Sequence, residues 1–275
     1  MQVTPKEMTQ TNPEMTNELA ATYDALHEII RARLENWPAQ REGYHWAGYT
    51  YDHTLRVVNL SVCMGERLGA DVDVVRFAAL LHDICKEAGR EHAAIGAEEV
   101  RKLLPEHGVN GESAERIAYA IECHAGDNTE QHPLENLCLG DADLIDANFG
   151  IVAAWRFITI RSGRGEPLDG TIVAMEEWLP KKDELVALLN TDLGREIAME
   201  RSRRMHDFCG WLMNEQREPD SDPHGLMRLA EYIHQNADTG RLPHQLADLL
   251  ANVEGRSTAL DAVIVALQDE SEGRK

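Results

Sequence analysis

Apolar residues recur every three or four positions along most of the chain, which is the spacing of one face of an α-helix. Long runs of alternating apolar and polar residues joined by hairpin turns are not found, and aromatic residues make up only 5% of the sequence. The pattern predicts helices over about 18–34, 52–68, 71–86, 92–104, 112–124, 134–160 (with a break at Gly140), 170–189 and 192–215. The predicted fold class is therefore all-α.

The 275 residues suffice for one large helical domain with a small appendage. Residues 1–17 are polar and lack the basic start and apolar stretch of a secretion signal, so we expect a disordered or frayed tail on a cytoplasmic protein. The main domain is expected over 18–216, because Arg217–Pro223 combines two prolines with three acidic residues, as linkers do. Beyond it we expect a short C-terminal helical extension over 223–268 and a polar tail over 269–275.

Charge and hydropathy restrict the classes of partner. The longest apolar runs, such as Phe77 to Leu81, are far too short to span a bilayer, which argues against a membrane protein. The formal net charge of -21 argues against binding polymeric nucleic acid over a broad surface, although a small anion could enter one cationic pocket. Five scattered cysteines without a C-x-x-C pair are predicted to be reduced core residues.

Candidate metal ligands lie on the apolar side of predicted helices. His53 shares a helical face with Val57 and Leu60, so its side chain is expected to point inward. His82 and Asp83 are adjacent on the apolar side of the next helix. Such a pair is costly to bury unless another group compensates for the lost hydration.

The same pattern recurs downstream. His92 begins one apolar helix face and His124 ends another, and Asp141, Asp143 and Asp146 open an otherwise apolar helix. A divalent metal ion would compensate for their burial, because imidazole nitrogen and carboxylate oxygen both bind such ions well. One of the three carboxylates is expected to be a ligand, while the others could simply favour the helix N-terminus.

Each of these residues also has an ordinary structural explanation. A single histidine on an apolar face is usually a core residue bonded to backbone, and three aspartates more often cap a helix or are solvated. The adjacency of His82 and Asp83, with further histidines and an acid in order on successive buried faces, is harder to explain in that way.

Four segments, Tyr51–Val57, Ala78–Lys86, Glu91–Ala97 and Asp141–Ala147, resemble the ordered motifs of the HD superfamily of metal-dependent phosphohydrolases. The similarity extends over roughly Gly43 to Glu215. The resemblance implies an HD-domain helical bundle.

The resemblance also implies that His53, His82, Asp83 and Asp143 hold one ion, and we place the last ligand at Asp143 rather than Asp141 on the pattern of related proteins. His92 and His124 stand where two-ion members of the family have additional histidines. One ion or two therefore remains open, with two favoured, and the metal could be Fe, Mn, Mg, Co, Ni or Zn.

A mechanism follows as a hypothesis from metal chemistry. A divalent ion with an open position lowers the pKa of bound water from 15.7 toward about 7, and the hydroxide would attack the phosphorus of a small, nucleotide-like phosphate ester or anhydride. Lys86 and Arg56 are expected to approach the phosphate as cationic donors, although each could be an ordinary surface charge. Asp83 could in addition accept a proton from the attacking water.

Two other functions remain open. Some HD proteins with six such ligands hold a mixed-valence pair of irons and activate dioxygen, and His92 and His124 permit that alternative. The second alternative is a non-catalytic regulatory module in which the metal serves folding alone. The C-terminal extension is expected either to cover part of the bundle or to form a homo-oligomer contact.

Overall fold

The computed structural model describes residues 16–37, 47–126, 128–218, 225–237, 242, 245–248 and 257–274. The principal α-helices are α1 Asn17–Leu34, α2 Tyr49–Leu68, α3 Val72–Leu81, α4 His92–Glu106, α5 Gly111–Cys123, α6 Leu134–Asn148, α7 Ile151–Gly163, α8 Leu168–Val173, α9 Met175–Asp183, α10 Asp192–Arg217, α11 Leu226–Gln235 and α12 Thr258–Ser271. Two 3₁₀ segments, Lys86–Glu91 and Glu184–Leu188, precede α4 and follow α9. These residues contain no strand, which confirms the predicted all-α fold.

Short polar side chains begin several of these helices. Asp71 accepts a hydrogen bond from Val74 N at the start of α3, and Asn110 accepts one from Ser113 N at the start of α5. Such side chains satisfy backbone donors that have no partner inside the helix. The positions of the helices are therefore set locally as well as by packing.

Three predicted helices differ in extent from those of the structure. The helix expected over 170–189 is divided into α8, α9 and the 3₁₀ segment Glu184–Leu188. The helix expected over 134–160 breaks at Gly150 and not at Gly140, because Gly150 adopts a φ of 100° whereas Gly140 lies inside α6. The helix expected over 71–86 ends at Leu81, and the chain turns through the 3₁₀ segment toward α4. The turn leaves His82 and Asp83 at the C-terminal end of α3.

Buried apolar residues form two clusters. The N-terminal core joins α1 to α6 with the first turns of α10, and helices α2, α3, α5 and α6 pack closely on one another in it. The C-terminal core joins α7, α8, α9, the rest of α10, α11 and α12. The C-terminal helices thus share a core with α7–α10, which the prediction had placed wholly in the main domain.

The chain end is more ordered than predicted. Helix α12 continues to Ser271, and Glu270 is completely buried, so the helix extends into the segment predicted as a polar tail from residue 269. Asn59 of α2 donates to Glu272 O at 2.9 Å, which attaches this end of the chain to the N-terminal core. No helix in the described ranges is long and apolar enough to cross a membrane.

Candidate metal centre

Six predicted ligands come together at the centre of the N-terminal core. His53 lies on α2, His82 and Asp83 directly follow α3, His92 begins α4, His124 directly follows α5, and Asp143 lies on α6. Apolar residues on the same faces, such as Val57 and Leu60 on α2, are buried and hold the helices together. The hydrophobic pattern thus directs these polar side chains inward.

One group of potential ligand atoms involves His53, His82 and Asp143. His53 Nε2 lies 2.9 Å from Asp143 Oδ1, and His82 Nε2 lies 3.9 Å from the same oxygen. All potential ligand atoms of this group lie within 4.8 Å of one another. This spacing fits coordination of a single ion, for which nitrogen and oxygen ligands lie about 2.0–2.2 Å from the metal.

A second group involves His82, Asp83 and His124, again with ligand atoms within 4.8 Å of one another. Asp83 Oδ1 lies 3.9 Å from His124 Nε2 and 3.4 Å from His92 Nε2. His92 Nε2 and His124 Nε2 are 3.1 Å apart. His82 belongs to both groups, so the two groups are contiguous.

All four histidines use Nδ1 for a hydrogen bond away from the centre. His82, His92 and His124 donate to the backbone carbonyls of Ala79, Gly89 and Ile121 at 2.8, 2.7 and 2.6 Å. A carbonyl oxygen can only accept, so in each neutral ring the Nε2 atom carries a lone pair. His53 donates through Nδ1 to Asp146 Oδ2 at 2.7 Å. This outward bond is typical of metal-ligating histidines.

Three of the four imidazole rings have lowered pKa values. Burial lowers the pKa of His124 to about 4, and burial also lowers the pKa values of His82 and His92. Both rings of the 3.1 Å contact between His92 and His124 are therefore neutral near pH 7, and two lone pairs face each other. A cation between or beside these nitrogen atoms would convert that repulsion into attraction.

His53 behaves differently because two carboxylates contact it. Burial lowers its pKa, but the hydrogen bonds to Asp143 and Asp146 outweigh burial and raise the pKa to about 10. Burial acts to raise the pKa values of Asp83 and Asp143, but nearby cationic and imidazole groups hold both well below the usual range. The carboxylates are thus anionic, as metal ligands must be.

Two atoms at the centre have no hydrogen-bond partner. His82 Nε2 and Asp83 Oδ2 are both buried without a hydrogen-bond partner among the described residues, and they lie 3.5 Å from each other. A buried unpaired carboxylate oxygen is costly, and a divalent cation would satisfy both atoms. The residues present therefore fit a divalent ion.

The three carboxylates of α6 have three different surroundings. Asp143 faces the histidines, whereas Asp141 accepts hydrogen bonds from Thr191 N and Asn190 N at 2.9 and 2.8 Å at the start of α10. Gly194 permits this approach, since a Cβ there would collide with the Asp141 carboxylate. Asp146 orients His53. Sequence reasoning treated Asp146 only as a ligand or a solvated acid and missed this role.

The two predicted phosphate donors lie in different places. Lys86 Nζ donates to Asp83 Oδ1 at 2.9 Å, and its side chain is partly exposed at the edge of the centre. Burial lowers the pKa of Lys86, but Asp83 and Asp143 outweigh it and raise the pKa, so the amine is cationic. Arg56 is buried and donates through Nε and Nη2 to Asp146 at 2.8 and 3.0 Å. The structure therefore brings Lys86 to the centre and pairs Arg56 with the residue that orients His53.

A cleft of about 620 Å³ opens beside the centre. It is lined by His124 and Asp143 from the centre, by Ala147 and Asn148 farther along α6, and by Arg195 of α10 among others. Its size suits a small-molecule ligand. One wall thus carries potential metal ligands while the rest is available for other parts of a ligand.

The chain is similar to a known protein family and to a known bacterial protein. The model of the HD domain matches residues 50–148, which correspond to α2–α6 and carry all six candidate ligands. The uncharacterized protein YpgQ of Bacillus subtilis is 30% identical over 172 residues, which cover 60% of this chain and 83% of YpgQ.

Solved structures share the fold. The crystal structure of Bacillus subtilis YpgQ in complex with ADP superposes with a TM-score of 0.53 and 24% identity, covering 75% of this chain and 98% of that chain. An HD-superfamily hydrolase from Bacillus thuringiensis superposes with a TM-score of 0.53 and 22% identity, covering 73% and 97%. The similarity to these structures thus reaches well beyond α2–α6.

Proposed function

Because the chain belongs to the HD-domain superfamily of metal-dependent phosphohydrolases, we propose that it cleaves a phosphate ester or anhydride of a small, nucleotide-like substrate. The observation that carries the proposal is that four imidazole Nε2 atoms and two carboxylates come together in two contiguous groups, in which His82 Nε2 and Asp83 Oδ2 have no hydrogen-bond partner. The six residues are His53, His82, Asp83, His92, His124 and Asp143.

We propose that His53, His82, Asp83 and Asp143 hold one divalent ion. A second ion beside His92 and His124 is supported by the contiguous group of ligand atoms around Asp83. Such an ion, when bound, supplies hydroxide at neutral pH by lowering the pKa of its water ligand and offsets charge on a phosphate oxygen.

Lys86 is proposed to donate a hydrogen bond to the substrate phosphate. Its amine is cationic, partly exposed and 2.9 Å from Asp83 Oδ1, so a phosphate at the centre would lie within its reach. The lowered pKa of Asp83 makes its carboxylate a weak base. We therefore propose that Asp83 acts mainly as a ligand, and its role as a proton acceptor stays a prediction.

The expectation that Arg56 reaches the phosphate also stays a prediction. Its bidentate contact with Asp146 supports a positioning role, in which Arg56 fixes Asp146 and Asp146 fixes the His53 ring. The cleft beside Asp143 supports a substrate with a sizeable group beyond the scissile phosphate. A nucleotide-like substrate is also supported by the crystal structure of YpgQ in complex with ADP.

The test combines metal analysis of the full chain, purified without chelator, with phosphate release from a panel of mononucleotides, dinucleoside polyphosphates and sugar phosphates. Asp83→Ala is expected to lose metal and turnover while circular dichroism shows the same helical content. Asp73→Ala, a carboxylate near the start of α3, is the matched control and should keep both. Full turnover in Asp83→Ala would refute the assignment. Oxygen consumption that depends on iron oxidation state, without phosphate release, would favour the oxygenase alternative.

A further inference from the structure

Two cationic side chains donate hydrogen bonds to residues that line the cleft. They are Arg156 on α7 and Lys182 on α9, and the charge of Arg156 acts on the Lys182 amine. None of the ion pairs between described residues involves either side chain, although the chain has 48 acidic residues against 27 Lys and Arg. Two cations that act on each other and have no ion-pair partner among the described residues are unexpected in so acidic a protein.

Neutral acceptors satisfy only part of the hydrogen-bonding capacity of Arg156 and Lys182. Arg156 Nη1 donates to Ala147 O at 3.2 Å, but the buried Nε of Arg156 has no partner among the described residues. Lys182 Nζ donates to Asn148 Oδ1 at 2.6 Å and has two further donors. An unpaired buried guanidinium nitrogen is costly and would be satisfied by an anionic oxygen.

The two charges also destabilise each other. Burial, followed by the nearby charge of Arg156, lowers the pKa of Lys182 to about 8. A bound anion would offset this repulsion and the loss of hydration. Arginine and lysine together are suited to phosphate, since guanidinium can donate two parallel hydrogen bonds and ammonium contributes a compact charge.

Arg156 and Lys182 lie near the candidate metal centre. Ala147 and Asn148, the acceptors of the two cations, follow Asp143 by about one helical turn on α6 and line the same cleft. Arg156 also lies 5.1 Å from the ring centroid of Tyr49. Tyr49 in turn stacks nearly parallel on His53, with centroids 5.9 Å apart. The two cations therefore lie close to the candidate ligands but belong to neither group of ligand atoms.

We infer that Arg156 and Lys182 form a second phosphate-binding subsite, which holds a phosphoryl group of the substrate other than the one attacked at the metal centre. The inference rests on the proposed function and narrows the substrate class to molecules with at least two phosphoryl groups. The residues that accept from the two cations lie about one helical turn beyond Asp143 on α6, which suits phosphoryl groups joined through a bridging oxygen.

The test is isothermal titration of the full chain, in buffer containing Mn²⁺, with α,β-methylene-ADP and with AMP. The first probe carries two phosphoryl groups that cannot be cleaved from each other, and the second carries one. Arg156→Gln and Lys182→Gln should each weaken α,β-methylene-ADP binding at least about tenfold, because a charge-assisted hydrogen bond is lost. AMP binding should change less than about threefold.

Two control variants separate this effect from folding and from net charge. Arg203→Gln removes one positive charge from an exposed position on α10 and should leave both affinities unchanged. Lys182→Arg keeps the charge and should retain α,β-methylene-ADP binding. If Arg156 only satisfied the Ala147 carbonyl at the end of α6, its variant would lower the melting temperature and affect both probes equally. The inference would be overturned if the variants lost affinity equally for both probes or lost none. It would also be overturned if the parent protein bound the two probes with the same affinity.

Failure of the inference and failure of the proposed function give different results. If Asp83→Ala abolishes phosphate release while Lys182→Gln leaves α,β-methylene-ADP binding intact, the function stands and the subsite is refuted. If both cations are needed for α,β-methylene-ADP but no compound of the panel releases phosphate, the subsite stands and the function is refuted.

Discussion

The N-terminal and C-terminal cores both bury charged side chains, but in different arrangements. In the N-terminal core, the neutral imidazoles of His82, His92 and His124 lie beside anionic carboxylates, and His82 Nε2 and Asp83 Oδ2 have no hydrogen-bond partner among the described residues. In the C-terminal core, Glu270 of α12 and Arg201 of α10 carry opposite charges and are both fully buried. Glu270 accepts from Val152 N at 2.9 Å and Arg201 donates to Arg274 O at 2.6 Å.

This difference separates a binding site from a structural contact. Unpaired atoms also occur in the C-terminal core, among them Glu270 Oε1 and Arg201 Nε, so an unpaired buried atom alone does not indicate a site. In that core the charge of Arg201 acts on the Glu270 carboxylate, and each of the two side chains also has a backbone partner. In the N-terminal core, Lys86 donates to Asp83 Oδ1 and His53 contacts Asp143, but His82 Nε2 and Asp83 Oδ2 have no hydrogen-bond donor, and an added cation would satisfy both of them.

The largest expected effect tests the N-terminal core. Asp143→Asn removes an anionic ligand and should lower turnover by at least about 100-fold, the upper range for losing even an outer partner of a ligand. The midpoint of chemical denaturation should change little, because the variant also removes a buried charge. Steady-state kinetics and urea unfolding measure the two effects. Asp141→Asn is the matched control, which should lose stability at the start of α10 while keeping turnover per folded molecule.

A smaller effect is expected from Asp146→Asn, which leaves the six candidate ligands in place. Its amide can no longer hold both His53 and Arg56 as a carboxylate does, so the His53 ring loses its fixed orientation. Metal affinity or turnover should fall about 10- to 100-fold. Titration of the purified variant with Mn²⁺ measures the affinity, and unchanged affinity and turnover would show that Asp146 has no positioning role.

A substitution in the C-terminal core should change the stability of the protein instead of its turnover. Glu270→Leu removes the acceptor of Val152 N in a buried position, which should lower the free energy of unfolding by about 1–3 kcal/mol. Turnover per folded molecule should change less than about twofold. A loss of turnover comparable to that of Asp143→Asn, in protein with unchanged helical content, would mean that the two cores do not have separate roles.

Glu270 should also make the stability of the protein depend on pH. Burial raises the pKa of Glu270 to about 7 from its usual value of 4.5. Between these pH values the folded state binds more protons than the unfolded state, so the contribution of Glu270 to stability decreases as pH rises. Glu270→Gln should remove this contribution, which is at most about 1.4 kcal/mol per pH unit. Urea midpoints of both proteins between pH 4.5 and 7 measure the difference, and parallel curves would contradict the raised pKa.

The fold could be predicted from the sequence where the apolar periodicity is regular. The prediction failed where tertiary contacts determine the backbone conformation. Gly140 and Gly150 both interrupt an apolar helical pattern, and the sequence does not distinguish them. The chain breaks at Gly150, where the Glu270 carboxylate occupies the space that a Cβ would fill. That contact joins residues far apart in sequence, so local patterns carry no signal for it.

The candidate site could be predicted where residues recur in order along buried helix faces. The six candidate ligands have this property, and the structure brings them together. The roles of Asp141, Asp143 and Asp146 were harder to separate. Asp141 and Asp143 are two residues apart and point to opposite sides of α6, but the sequence does not reveal which side faces the histidines. The pairing of Arg56 with Asp146 was not predicted for the same reason.

The main-chain hydrogen bonds of His82, His92 and His124 have an evolutionary consequence. Because main-chain carbonyl oxygens of Ala79, Gly89 and Ile121 accept from these rings, no particular side chain is needed to orient them, although Gly89 must keep its positive φ of 64°. His53 alone depends on a side chain, Asp146. Substitutions at position 146, or at Arg56, which contacts Asp146, can therefore change the orientation of His53 in homologues. The orientations of the other three imidazoles do not depend on a particular neighbouring side chain.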